Sequence, residues 1–299
     1  MALHPQSVSF LADTQDGPAP GEPGFVTGQV VANREADRAL ARSAPGPAVD
    51  RVQEVDAGGV PGRLYAPRPG APVLVHVHGG GWVFGDLETH DALCRTLALQ
   101  TGWTVLAVDY RRAPEHPYPV PLEDCEAAVA WLRGQGGGLD VDTSAVAVLG
   151  DSAGGNLAAG LVVRHPDWFA LQVLVYPCLD VAGTAPSFGA EDRGLSAQEM
   201  RWYWSAYLPG EHDQLRPDAV PALADLTGQP RAVVITAEHD PLRDEAEAHG
   251  QRLAEAGVPV VTTRYLGMVH GFWRATEHFD ASRAALTQVA GALTQVAPG

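Results

Sequence analysis

Short apolar runs alternate along most of this chain with longer stretches whose apolar residues recur at helical spacing. That alternation constrains the fold more than any other feature. The runs 73–77, 104–108, 145–149, 172–176, 232–236 and 260–265 are mostly Val, Ile, Leu, Ala and Thr. Strands with so little polar content have no face to give to water, so they predict an α/β chain with a mostly parallel central sheet and helices on both faces. The helical stretches between them are 88–100, 122–133, 153–164, 241–256 and 281–296. Upstream, 51–56 and 62–65 alternate in polarity around Gly58-Gly59, which predicts an antiparallel hairpin at the sheet edge.

Two regions break this rhythm. Residues 1–47 hold two short helical stretches, 7–13 and 33–42, on either side of the Gly/Pro-rich segment 17–24, and read as an appendage to the core. Residues 179–227 contain no strand-like run. Instead they carry Trp202, Tyr203, Trp204 and Tyr207 on a helix whose start is marked by Ser196 and Glu199, spaced as a capping box. A helix this aromatic either packs on the core or covers a ligand site.

Composition excludes several classes of function. A chain of 299 residues with a net charge of −16 lacks the clustered cations that nucleic acid or an anionic membrane surface requires. No stretch of about 18 apolar residues is present, and the N-terminus has no basic-then-apolar leader, so a cytoplasmic protein without membrane insertion is expected. The three cysteines, Cys94, Cys125 and Cys178, are widely spaced in apolar surroundings and read as buried thiols. With no Cys-x-x-Cys pair a structural zinc site is not expected, and the serine chemistry read below requires no cofactor.

The chemistry starts at Gly150-Asp-Ser152-Ala-Gly154, which joins an apolar run to a helical one. This is the pattern of a nucleophile elbow, in which glycines on both sides let the backbone turn sharply and push the serine out toward a substrate. A serine needs a base and a carboxylate that orients the base. Among the 11 histidines, His270 is favoured because it follows the last predicted strand and precedes a glycine. Asp240 is favoured as the acid over Glu238, Asp244 and Glu245 because it falls in a loop pinned by Pro241, whereas Asp244 and Glu245 read as helix-start carboxylates. The order Ser152, Asp240, His270 is that of α/β-hydrolases. For the oxyanion of a tetrahedral intermediate, the glycines after His78 can aim backbone N–H groups at one point, and Gly79, Gly80 and the N–H of Ala153 are expected as donors. Asp151 and Asn156 are expected to bind neighbouring loops. Trp82, Phe84 and Trp202 are candidates to line the substrate pocket.

Taken together, His78-Gly-Gly-Gly-Trp82, Tyr110-Arg-Arg-Ala-Pro-Glu-His-Pro-Tyr-Pro119, Gly150-Asp-Ser-Ala-Gly-Gly155, Asp240-Pro-Leu-Arg-Asp-Glu245 and His270-Gly-Phe272 resemble the bacterial hormone-sensitive-lipase-type carboxylesterases. The resemblance implies an α/β-hydrolase fold with a helical cap: 1–47 as its N-terminal part, 48–178 as core, 179–227 as cap insertion and 228–299 as core. It also implies the triad Ser152, Asp240 and His270, hydrolysis of small-molecule esters with short to medium acyl chains, and an arrangement that admits a homodimer. The segment 110–119 is expected to support the site, with Arg111, Arg112 and Glu115 paired structurally. An amidase or arylformamidase with the same triad, and a non-catalytic binding protein on the same fold, are the alternatives.

Overall fold

The computed structural model describes residues 2–13, 19–22, 25 and 28–297. Two helices, α1 (Pro5–Asp13) and α2 (Gln29–Ser43), precede the hairpin β1 (Arg51–Asp56) and β2 (Pro61–Ala66). Strands and helices then alternate as β3 (Ala71–Val77), α3 (Asp91–Thr101), β4 (Thr104–Val108), α4 (Val120–Gln135), β5 (Val141–Asp151), α5 (Ala153–Arg164) and β6 (Leu171–Val175). After α6 (Pro186–Ala190) and α7 (Ala197–Tyr207) come β7 (Arg231–His239), α8 (Arg243–Glu255), β8 (Val260–Val269) and α9 (Asp280–Thr294). The Gly/Pro-rich segment 17–24 lies only partly within the described residues.

The strands form one eight-stranded sheet in the order β1-β2-β4-β3-β5-β6-β7-β8. Pairing is antiparallel through β1, β2 and β4 and parallel from β4 onward. Side-chain parity builds the two cores. Val73, Val75 and Val77 of β3 pack with Leu122 and Val129 of α4 and Leu157 of α5, while Leu74 faces the opposite layer with Leu97 of α3 and Leu286 of α9. Each large apolar side chain buried in this way contributes about 1.5–3 kcal/mol, which is why both faces of the parallel strands must be covered.

The expected elements form, with differences at their ends. β7 runs on to His239 and β8 to Val269, so Glu238 lies inside a strand and the loops before Asp240 and His270 are shorter than expected. Ladder pairing continues past a bulge between Ala237 and His239, and it is this pairing that holds both strand ends. The helix at 196–208 keeps its capping box, with Ser196 and Glu199 each bonding the other's backbone N–H. All three cysteines are buried and free. Among the described residues no helix is long and apolar enough to cross a membrane.

Candidate active site

Strand register decides which side chains meet. The last paired residues of β7 and β8 are His239 and Val269, so Asp240 and His270 come next on adjacent strands and are brought side by side. The His270 Nδ1–H donates to Asp240 Oδ2 over 2.7 Å, and His270 Nε2 lies 3.0 Å from Ser152 Oγ. Asp240 is fully buried, and its other oxygen accepts the Leu242 N–H at 2.9 Å. Ser152 sits between β5 and α5 with φ 55° and ψ −122°, a conformation a serine adopts only under strain. A Cβ on Gly150 would strike the Gly154 carbonyl, and one on Gly154 would strike the carbonyls of Val77 and His78. The elbow therefore closes only with glycine at both positions.

The rival carboxylates are occupied elsewhere. Glu238 accepts the Gly267 N–H at 2.7 Å. Asp244 accepts the Ser187 N–H at 2.9 Å and pairs with Arg243. Glu245 accepts the N–H groups of Leu179 and Asp180 at 2.7 and 3.3 Å.

An α/β-hydrolase family model matches residues 74–274. The chain is 38% identical over 290 residues to the carboxylic ester hydrolase LipN of Mycobacterium tuberculosis, covering 90% of this chain and 77% of that one. It is 39% identical to the carboxylesterase NlhH of the same species, over 71% of each chain. Among solved structures, a Pyrobaculum calidifontis esterase superposes with a TM-score of 0.89 at 37% identity, covering 98% of both chains. The chain belongs to the α/β-hydrolase family.

In this hydrolase Ser152 and His270 open into a cavity of about 450 Å³. Gly80 and Gly81 form part of its wall; Asp37, Leu40 and Ala41 of α2 line it from one side, and Glu199, Met200 and Tyr203 of α7 from another. Phe84 lines the cavity as expected. Trp82 does not. It is fully buried, stacks on Tyr207 at 4.4 Å and donates from its indole N–H to Asn156 Oδ1, because a φ of 59° turns it away from the glycine loop into the core. Trp202 is also absent from the lining: it packs edge-on against Phe25 at 5.3 Å, and Tyr203, one residue on, takes its place. Helical spacing could have found this, since Met200, Trp204 and Tyr207 mark the buried stripe of α7 and put 203 beside that stripe and 202 on the far side of the helix.

The expectation that Gly79 serves as an oxyanion donor is also corrected. Its N–H already donates to Asp151 Oδ1 at 3.1 Å, because Val77 pairs with Gly150 and so sets the next residues of the two strands together. Gly81 instead reaches the cavity, with φ 60°, and a Cβ there would collide with the Tyr203 ring. Ala153 begins α5, where the first N–H groups have no acceptor within the helix.

Asp151 and Asn156 bind neighbouring loops as expected, Asn156 Nδ2 donating to the Ala219 carbonyl at 2.9 Å. Arg111 forks onto Asp124, Arg112 reaches Asp109 and the Gly85 carbonyl, and Glu115 pairs with Arg34. The Tyr110 hydroxyl donates to the His78 carbonyl at 2.8 Å, tying this segment to the glycine loop. Asp37 escaped sequence reading because nothing local marks it, and Gly81 because only strand register tells it from the glycines before it. They meet only once the helices cross the strand ends.

Proposed function

We propose that this hydrolase cleaves carboxylic esters of short to medium acyl chains through a covalent acyl-enzyme on Ser152. The carrying observation is the unbroken line from Asp240 through His270 to Ser152, at 2.7 and 3.0 Å, opening into one cavity. His270 Nε2 takes the hydroxyl proton as Ser152 Oγ attacks the ester carbonyl, and Asp240 keeps the imidazole in the tautomer that can accept it. The negative charge of the tetrahedral intermediate accepts hydrogen bonds from the N–H groups of Gly80, Gly81 and Ala153. His270 returns the proton to the departing alcohol; water then attacks the acyl group by the same route and frees the acid.

The relatives' names, carboxylic ester hydrolase and carboxylesterase, support the reaction class. The limited volume of the cavity, about 450 Å³, supports the smaller acyl groups. Residues 1–47 and 179–227 act as a cap in this reading, since α2 and α7 both contribute to the cavity wall. The test is a series of p-nitrophenyl esters from acetate to palmitate. Wild-type turnover should fall off sharply at the longer chains. The Ser152→Ala variant should lose a factor on the order of 10⁶ on all of them. Retention of most activity by that variant would overturn the mechanism.

A further inference from the structure

A glycine loop has no side chains to anchor it, so beyond its own backbone bonds, from the Val83 and Phe84 N–H groups to the Gly80 carbonyl, it is aimed by side chains from outside. At Gly79 both backbone polar groups, and the carbonyl of His78 before it, are held by neighbouring side chains. The Gly79 N–H donates to Asp151 Oδ1 at 3.1 Å, the His78 Nδ1–H donates to the Gly79 carbonyl at 2.9 Å, and the Tyr110 hydroxyl donates to the His78 carbonyl at 2.8 Å. Of the three holders, Asp151 is the charged one. It is almost fully buried, directly precedes Ser152 and shares its cavity.

A buried carboxylate beside a site where negative charge develops would oppose that charge unless it were itself neutralised or fixed by its surroundings. Here the surroundings are imidazoles. His76 Nε2 and His90 Nε2 face Asp151 Oδ1 at 3.8 and 3.7 Å, and His78 lies against both His90 and Tyr110. All three Nε2 atoms are buried without a hydrogen-bond partner in the structure. Burial works against the Asp151 charge, but the facing His90 ring and Arg274 outweigh it and hold the carboxyl below the usual range. Burial drives His76 down to about 3, so that ring is neutral.

We propose that Asp151 is a positioning residue of the oxyanion site: anchored among His76 and His90, it holds the Gly79 N–H and thereby aims the two following N–H groups at the reacting carbonyl. This rests on the ester-hydrolase reading for its consequence in rate, though the clamp itself does not. Removing the clamp loosens donors that act on the transition state, so it lowers kcat and spares KM.

The test compares Asp151→Ala, which removes the acceptor, with Asp151→Asn, which keeps one. In the alanine variant, kcat for p-nitrophenyl butyrate should fall by about 10- to 100-fold, less than or up to the loss of one donor. KM should stay within about threefold. The inhibition constant of an alkyl trifluoromethyl ketone, whose serine adduct carries the oxyanion, should rise by the same factor as kcat/KM falls. Amide hydrogen exchange in a peptide spanning 79–81 should speed up. Asparagine should restore both kcat, to within about threefold, and the exchange protection. Asp151→Ser, too short to reach Gly79, serves the same comparison if thermal melting shows the alanine variant to be unfolded. An unchanged kcat, a rise in KM alone, or an asparagine variant no better than alanine would overturn the proposal. Exchange data separate the two readings: a clamp can be present in a protein that turns over no ester.

Discussion

Glu245 stands in the first turn of α8 with its side chain almost wholly buried, accepting the N–H groups of Leu179 and Asp180 where the chain leaves the core after β6. Burial pushes its carboxyl up to about 8, and those two N–H groups only partly offset the shift. The folded protein therefore keeps a proton at neutral pH that the unfolded chain releases above about 4.3. Because the native state binds more protons across that window, this residue's contribution to stability declines as pH rises from about 4.3 to about 8. Glu245→Gln keeps the carbonyl acceptor and cannot ionise. Relative to wild type, its unfolding free energy should gain with rising pH, by at most about 1.4 kcal/mol per unit. Urea denaturation at pH 5 and pH 8 measures this, and a difference between the two proteins that does not change with pH would show that Glu245 is ionised in the fold.

At the level of elements, α2 is fastened beside the glycine loop by arginines spaced one turn apart. Arg34 donates to the Val83 and Ala113 carbonyls, each at 2.8 Å, and forks onto Glu115 at 2.8 and 3.0 Å. Arg38 binds Asp86, and Arg42 approaches Glu88 at 3.5 Å. The neighbouring positions Asp37 and Ala41 line the cavity, so the same helix is both fastened and used. Arg34→Ala leaves two carbonyls without their donor and should cost about 1–3 kcal/mol of stability, with a several-fold fall in kcat/KM. Lysine should not restore it, since an ammonium lacks the planar fork. Arg42, 62% exposed, should matter by less than about 1 kcal/mol when replaced by alanine. Thermal melts and kinetics on these variants check the ranking; equal losses at 34 and 42 would contradict it. This fastening was not legible in the sequence. The spacing 34, 38, 42 puts three cations on one helical face, but nothing local tells a solvated face from one that grips a loop about 50 residues away.

For the molecule as a whole, legibility followed the range of the interaction. Apolar runs such as 73–77 and 104–108 became strands because burial on both faces acts residue by residue, and Ser152, Asp240 and His270 could be picked out because each sits where a predicted strand ends. Register could not be read. The pairing of Val77 with Gly150 commits the Gly79 N–H to Asp151 and leaves Gly81, not Gly79, beside Gly80 on the cavity wall. Trp82 was misplaced for a similar reason: a positive φ next to three glycines sent it into the core.

In the proposed mechanism Ser152 is the activated nucleophile, because it ends the line that runs from Asp240 through His270. Titration with a fluorophosphonate, followed by mass spectrometry of the digested protein, tests this most directly. One phosphonyl group per chain should appear on the peptide holding Ser152, residual esterase activity should fall in proportion to labelling, and His270→Ala should slow the labelling by orders of magnitude. Labelling at another residue, or full activity after Ser152 is modified, would contradict it.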